Sequence, residues 1–183
     1  MPSKPKYYWD ACAWIALIKQ ETGRFDACKH TIELAEEGKV EIWTSAFTLA
    51  EVYKRRIDGG STSLEAEKDK DFEDYIEKDF VQIVQVDADV GTAARRLLRA
   101  FPDIGKPQDA IHVATALLND LDELHTFDRA DLLNLSGVLD RSDGNKLTIC
   151  HPPSPPPPPP STPSLFDGLE EQGVDPVQGQ AQG

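Results

Sequence analysis

Four acidic residues, far apart in this 183-residue chain, each fall where a predicted strand gives way to a helix or within the helix that follows. They are Asp10, Glu51, Asp109 and Asp128. In a parallel α/β sheet such junctions open on one edge, so the four side chains are expected to converge. Converging carboxylates repel one another unless a cation lies among them, and Mg²⁺ and Mn²⁺ prefer oxygen ligands of this kind. The spacing therefore predicts a metal-dependent enzyme.

Each of these acids also has a simpler structural interpretation. Asp10 could cap the helix after it, Asp109 could be a first-turn acid favoured by the helix dipole, and Asp128 could cap a short helix in ADLLNL. The segment from Thr48 to Glu51 fits a capping box, in which Glu51 would only satisfy a backbone amide. Capping requires neither a shared edge nor the apolar surroundings WDACAW and DAIHVATA. The metal site therefore explains the set better than four separate caps do.

Strands and helices are predicted to alternate along most of the chain. Strands are predicted at 7–9, 40–44, 80–86 and 123–127, with an edge strand at 146–150. Helices are predicted at 11–19, 25–37, 46–57, 64–78, 87–101 and 108–119. This order is typical of an α/β fold with three layers, in which helices flank a central parallel sheet.

A change of composition near His151 divides the chain into two parts. Residues 5–150 are predicted to form the folded domain, and residues 151–183 a proline-rich, acidic, disordered tail. The run from Pro155 to Pro160 favours polyproline II and supplies no amide donor for a sheet or helix. A long charged segment at 59–78 reads as an insertion in the domain.

The net charge of −13 argues against a protein that binds nucleic acid through general basicity. Basic residues do cluster at 54–56, 95–96, 99 and 106, where they fit either solvated helix faces or a local rim around an acidic site. No segment approaches the roughly 20 apolar residues that span a bilayer. The three cysteines lack zinc-like spacing. We therefore expect a cytoplasmic protein.

These motifs together resemble those of PIN-domain nucleases, and most closely the VapC toxins of VapBC-type toxin–antitoxin systems. The resemblance covers residues 7–133. It depends on the strand that ends in Asp10, on the polar segment Ser45, Thr48 and Glu51, and above all on the blocks DAIHVATA at 109–116 and TFD at 126–128. It implies a PIN fold, a Mg²⁺ or Mn²⁺ cofactor, an RNA substrate, an antitoxin partner and a homodimer.

Carried over position by position, the resemblance assigns the catalytic and metal-binding roles to Asp10, Glu51, Asp109 and Asp128. Of these, Asp10 and Asp109 are expected to be direct ligands. Polar support is expected from Ser45 or Thr126, and contacts to the phosphate backbone from Lys54, Arg55 or Lys106.

Two further residues near these motifs have alternative interpretations. Asp131 follows Asp128 by three positions and could face the metal, although a surface acid in a first helical turn is the simpler expectation. His112 lies one turn after Asp109 on an apolar helix, where a packed, hydrogen-bonded histidine is favoured over a catalytic base.

Other functions are compatible with parts of the sequence. A catalytically silent interaction module with the same fold would use the proline-rich tail for binding, and an RNA-processing nuclease outside toxin–antitoxin systems would share the acidic site. A phosphatase of the haloacid dehalogenase type requires a second aspartate two positions after the first, and Cys12 stands there instead. A receiver-like signalling domain would need a lysine near the last strands, in a setting that the sequence does not show.

Overall fold

The computed structural model describes residues 3–52 and 66–157. The basic cluster at 54–56, the glycine-rich break at 59–63 and the end of the tail from 158 lie outside these ranges. The described strands are β1 (Lys6–Trp9), β2 (Glu41–Ser45), β3 (Val81–Val84), β4 (Glu123–His125) and β5 (Thr148–Cys150). The described α-helices are α1 (Ala11–Ile18), α2 (Phe25–Glu36), α3 (Ala46–Val52), α4 (Ala66–Ile76), α5 (Ala88–Ala100) and α6 (Pro107–Leu118).

The five strands form one parallel sheet in the order β3-β2-β1-β4-β5. Strand β1 is central, and its Tyr8 pairs with Trp43 of β2 on one side and Leu124 of β4 on the other. Because all the strands run in the same direction, their carboxyl ends share one edge of the sheet. The residues that follow Trp9, Ser45 and His125 therefore enter the same region of the molecule.

Two hydrophobic cores lie on opposite faces of the sheet, because successive side chains of a strand point to opposite sides. Tyr8 packs into the core formed with α5 and α6, whereas its neighbour Trp9 packs into the core formed with α1 and α2. Both aromatic side chains are fully buried. The predicted three-layer α/β architecture is confirmed.

Helix α4 belongs to the charged segment that the sequence marks as an insertion. Its Phe72 is buried and meets Trp14 of α1 edge to face, with ring centroids 5.7 Å apart. Phe72, together with the partly buried Tyr75 and Ile76, thus attaches the inserted segment to the core beside α1.

The chain between β4 and β5 differs from the sequence prediction. Strand β4 ends at His125 rather than residue 127, although the Thr126 amide still donates to the carbonyl oxygen of Cys150 at 3.0 Å. The short helix expected in ADLLNL is reduced to a 3₁₀ turn at Leu133–Leu135. Packing continues beyond β5, where Pro152 is buried.

Within the described ranges, every helix is too short or too polar to cross a lipid bilayer.

Candidate metal-binding active site

A cleft of about 270 Å³ opens at the carboxyl edge of the sheet. The four predicted acids, Asp10, Glu51, Asp109 and Asp128, all line it, although they come from four different junctions of the chain. The cleft is also lined by Cys12, Lys106 and His112. The structure thus brings the predicted site residues together in one place.

Asp10 has two structural roles at once. Its Oδ1 accepts a hydrogen bond from the Ala13 amide at 3.0 Å and so caps α1, as the simpler interpretation required. The same carboxylate is buried and accepts a hydrogen bond from the Thr126 side chain. Burial raises the pKa of Asp10, and the nearby His112 opposes that shift. The cap therefore holds the Asp10 carboxylate in the cleft, although burial disfavours its charged form.

Glu51 is held by a histidine rather than by a capping box. Ser45 precedes helix α3, and its Oγ accepts from the Thr48 amide at 3.3 Å, so the cap lies about one turn earlier than the sequence suggests. Oε2 of Glu51 lies 2.7 Å from Nε2 of His112, and the Nδ1 of that ring lies 2.7 Å from the Tyr8 hydroxyl. His112 is packed and hydrogen-bonded, as expected. Burial alone lowers its pKa, but Tyr8, Glu51 and Asp10 outweigh that effect and raise it.

Asp109 has the least compensated carboxylate of the cleft. It lies in the first turn of α6, where Pro107 begins the helix. Its Oδ2 is buried and has no hydrogen-bond partner among the described residues. Burial raises the pKa of Asp109 to about 6, with Lys106 lowering it and Asp128 and Asp131 adding to the rise. An unsatisfied buried oxygen of this kind is costly and calls for a cation or a donor.

Asp128 caps a turn instead of a helix. Its Oδ1 accepts from the amides of Ala130 and Asp131 at 2.9 and 3.2 Å, and its own amide donates to Oγ1 of Thr126 at 2.9 Å. Since the Thr126 hydroxyl also bonds Asp10, this residue positions two of the four acids. Of the two residues expected to give polar support, Thr126 therefore contacts the predicted acids, whereas the Ser45 hydroxyl bonds Thr48.

Asp131 lies beside two acids of the cleft and in a non-helical turn, whereas the sequence favoured a surface acid in a helical turn. Carboxylate oxygens of Asp109, Asp128 and Asp131 all lie within 4.8 Å of one another, and we call these three residues the aspartate triad. Nζ of Lys106 lies 2.6 Å from Asp131, 3.9 Å from Asp128 and 4.0 Å from Asp109. The signal available in the sequence was the spacing of three residues from Asp128 to Asp131, which a turn brings together as readily as a helix does.

The residues present fit a divalent cation. The aspartate triad offers only oxygen atoms, which suit a hard ion such as Mg²⁺ or Mn²⁺. The single charge of Lys106 is shared by three carboxylates, and one buried oxygen of Asp109 still has no hydrogen-bond partner in the described chain. Asp10 and Glu51 line the same cleft outside the triad, where they are available to an ion or to the water around it.

A family comparison identifies the type of domain. The family model described as PIN domain matches residues 7–136, which is most of the chain. The chain belongs to the PIN domain family. No curated protein matches the sequence.

Solved structures show the same PIN fold at low sequence identity. The VapC20 toxin of Mycobacterium tuberculosis, described as cleaving the sarcin-ricin loop, is 19% identical with a TM-score of 0.52, covering 67% of this chain and 89% of that one. A toxin–antitoxin complex from Klebsiella pneumoniae is 20% identical with a TM-score of 0.53, covering 81% of this chain and 99% of that one. The expected likeness of this PIN domain to VapC structures is confirmed at the level of the fold.

Cys12 is the one thiol in the cleft of this PIN domain. Burial raises the pKa of its thiol well above the ordinary value, and the carboxylates of Asp10, Asp128 and Glu51 add to that effect. A thiol must ionise to act as a nucleophile. Cys12 therefore does not provide covalent chemistry here.

A second group of metal-ligating residue types lies across β4 and β5 of this PIN domain, at Glu123, His125 and Cys150. The Trp9 indole N–H donates to Nδ1 of His125 at 3.2 Å, so the ring proton must be on Nε2, which donates to Glu123 at 2.8 Å. An imidazole that binds a metal through Nε2 would need its proton on Nδ1 instead. This group is therefore a buried hydrogen-bond network.

Proposed function

We propose that this PIN domain is a Mg²⁺- or Mn²⁺-dependent endoribonuclease that hydrolyses RNA phosphodiester bonds. One observation carries the proposal: four acids from separate junctions share a single cleft, and two of them belong to the aspartate triad, which is only partly neutralised. A structural role for each acid alone does not account for a buried Asp109 oxygen that has no hydrogen-bond partner in the described ranges and only the distant Lys106 ammonium, 4.0 Å away, as a counter-charge. A divalent cation accounts for both features.

Asp10, Glu51, Asp109 and Asp128 are the proposed catalytic and metal-binding residues, and we add Asp131 because one of its carboxylate oxygens lies within 4.8 Å of those of Asp109 and Asp128. A bound divalent ion would supply an activated water and neutralise charge on the phosphoryl oxygens. Hydrogen bonds hold the carboxylates in position. The Ala13 amide and the Thr126 side chain bind Asp10, and the Ala130 and Asp131 amides bind Asp128. His112 holds Glu51 through the 2.7 Å contact between Nε2 and Oε2.

The substitution Asp109→Asn tests the proposed nuclease directly. It removes one charge from the aspartate triad while it keeps the size of the side chain, so cleavage of single-stranded RNA in Mg²⁺ should fall by at least about 100-fold with the fold retained. Asp103→Asn is the matched control, because Asp103 is exposed in the loop before α6. Undiminished cleavage by Asp109→Asn, with Asp103→Asn also active, would contradict the assignment.

The alternative is a catalytically silent module, and Lys106 is the observation that favours it. An ammonium group within 4.0 Å of all three carboxylates of the triad could stabilise them without a metal. Calorimetric titration of the chelator-treated protein with Mn²⁺ separates the two functions. Saturable binding that is lost in Asp109→Asn supports the nuclease, whereas an absence of binding supports the silent module.

We further propose that the protein is the toxin of a VapBC-type pair, acting in the cytoplasm as a homodimer that an antitoxin inhibits. The support is the PIN family match together with the fold it shares with a solved toxin–antitoxin complex. Co-expression with the product of an adjacent small gene should give a stable complex in which RNA cleavage is blocked. An active nuclease with no such inhibitor would instead indicate RNA processing outside toxin–antitoxin systems.

The domain boundary is also a proposal: residues 5–150 as the nuclease domain and residues 151–183 as a proline-rich, acidic tail. Its support is that the last strand ends at Cys150. A chain truncated after Ser154, which retains the buried Pro152, should keep the thermal stability and cleavage rate of the full chain.

A further inference from the structure

A second cavity of about 320 Å³ carries the opposite charge from the metal cleft. Arg24, Phe127, Arg129 and His151 line it, and none of its lining residues in the described chain is acidic. Arg24 is paired with Glu21 at 2.9 Å, so the uncompensated positive charge of the cavity belongs to Arg129. We call this cavity the arginine pocket.

The arginine pocket lies directly beside the metal cleft. Phe127 lines the pocket and Asp128, the next residue, lines the cleft, so their Cα atoms are about 3.8 Å apart. Arg24 immediately precedes α2. It is close enough to the cleft to lower the pKa of the Cys12 thiol, which the carboxylates of the cleft raise. If a polymer binds with one unit in the cleft, its neighbouring unit would therefore lie at the pocket.

Three planar groups are stacked in the wall of the pocket. The Arg24 guanidinium carbon lies 4.9 Å from the centroid of the Phe127 ring, and the His151 ring is stacked on Phe127 at 5.2 Å with an interplanar angle of 22°. His151 is fixed because its Nδ1–H donates to the Thr126 carbonyl oxygen at 2.9 Å. Arg24 and His151 are both exposed, so each has a surface that can receive another flat group.

Arg129 supplies a cation with no competing partner. It is exposed, and within residues 3–52 and 66–157 it has no ion pair or hydrogen bond, whereas Lys106 in the cleft is shared by three carboxylates. The acids of the cleft repel every phosphate that is not at the metal. A nucleic-acid strand thus needs cations immediately outside the cleft, and proteins that hold single strands combine such cations with stacking surfaces for the bases.

We propose that the arginine pocket binds one unpaired RNA nucleotide next to the cleaved bond, with its phosphate on Arg129 and its base on the stack of Arg24, Phe127 and His151. This inference rests on the proposed nuclease function and specifies its substrate as single-stranded RNA at this position. A base within a duplex is already stacked on its neighbours and cannot use the pocket.

The test measures RNA binding apart from cleavage. In the full chain carrying Asp109→Asn, fluorescence anisotropy with a labelled single-stranded oligoadenylate in Mg²⁺ should give a Kd about ten-fold weaker for Arg129→Ala and for His151→Ala. Arg129→Ala should also reduce the slope of log K against log salt concentration by about 0.7, the value for one phosphate contact to a single strand.

Arg24→Lys should keep this salt slope yet weaken binding, because lysine lacks a planar group. Arg96→Ala, an exposed arginine on α5, is the control and should bind unchanged.

The outcomes separate this inference from the nuclease itself. Binding by Arg129→Ala and His151→Ala equal to that of Arg96→Ala would overturn the pocket while the wild-type chain still cleaves RNA. Equal affinity for a duplex of the same length would also overturn it. If the wild-type chain cleaves no RNA but the variants bind as expected, the nuclease proposal fails and the binding pocket stands.

Discussion

Nζ of Lys106 lies 2.6 Å from Oδ2 of Asp131 and is within 4.0 Å of Asp128 and Asp109. An internal cation thus lies among the carboxylates proposed to bind a metal. Its side chain is 58% exposed, so it can leave the cleft without disturbing the core. The ammonium of Lys106 partly neutralises the aspartate triad in this structure, and its expected contact to the phosphate backbone stays a prediction.

Replacing Lys106 with methionine should tighten metal binding. Lysine and a divalent ion compete for the same three carboxylates, so removal of the ammonium should lower the Kd for Mn²⁺ on the order of ten-fold. Calorimetric titration of the chelator-treated protein measures this change. Lys146→Met is the matched control, since Lys146 pairs with Asp140 and does not line the cleft. A Kd that is unchanged or weaker in Lys106→Met would show that Lys106 does not compete with the ion.

Asp109 should make the metal-free protein less stable as pH rises. Its folded-state pKa is about 6, above the ordinary 3.8, so between these values the native state binds more protons than the unfolded state. The free energy of unfolding therefore falls as pH rises through this range, by up to about 3 kcal/mol. Asp109→Asn cannot titrate, so in chelator it should be more stable than wild type at pH 7 and similar to it at pH 4.

Urea denaturation at several pH values measures this effect. Asp10, whose pKa burial also raises, contributes a slope of the same sign to both proteins, so the difference between them isolates Asp109. The exposed control Asp103→Asn should follow the wild-type curve. Parallel curves for Asp109→Asn and wild type would contradict the buried, uncompensated carboxylate.

Two substitutions at Asp128 should separate its structural role from its charge. Asp128→Asn keeps an Oδ1 that can accept from the Ala130 and Asp131 amides, so the thermal stability should be almost unchanged. Asp128→Ala removes this acceptor and should cost about 1 kcal/mol in unfolding free energy. Both variants lose the carboxylate and should bind Mn²⁺ more weakly by similar factors. Equal stability of the two variants would mean that the turn does not depend on the side chain.

The sheet and the shared cleft could be predicted from the sequence because both follow from local patterns. Alternation of apolar strands and helices requires a parallel sheet, and a parallel sheet places Asp10 and Asp128 at one edge. The helix block that starts near Asp109 is equally clear from its apolar periodicity. These features need no knowledge of how distant side chains pack.

The contacts that tune the site could not be predicted, because they join residues far apart in the chain. The bond from Glu51 to His112 spans 61 positions, and the pair between Lys106 and Asp131 spans 25. A helical turn was the simpler expectation for Asp131, but the backbone forms a non-helical turn that Asp128 caps. Sequence spacing alone does not distinguish these turns, since both bring residues three positions apart together.

His112 should remain protonated at neutral pH because of its neighbours. Burial lowers its pKa, but Tyr8, Glu51 and Asp10 together raise it well above the ordinary 6.5. The stabilisation from the protonated ring is therefore complete below that value and is lost as pH rises through the higher folded-state pKa. Nitrogen NMR of the metal-free protein should find both ring nitrogens of His112 protonated at pH 7.5. Tyr8→Phe removes the hydroxyl 2.7 Å from Nδ1 and should lower this pKa, whereas Tyr7→Phe should leave it unchanged. A neutral His112 ring at pH 7.5 in the wild-type protein would mean that its neighbours do not raise its pKa above the measured pH.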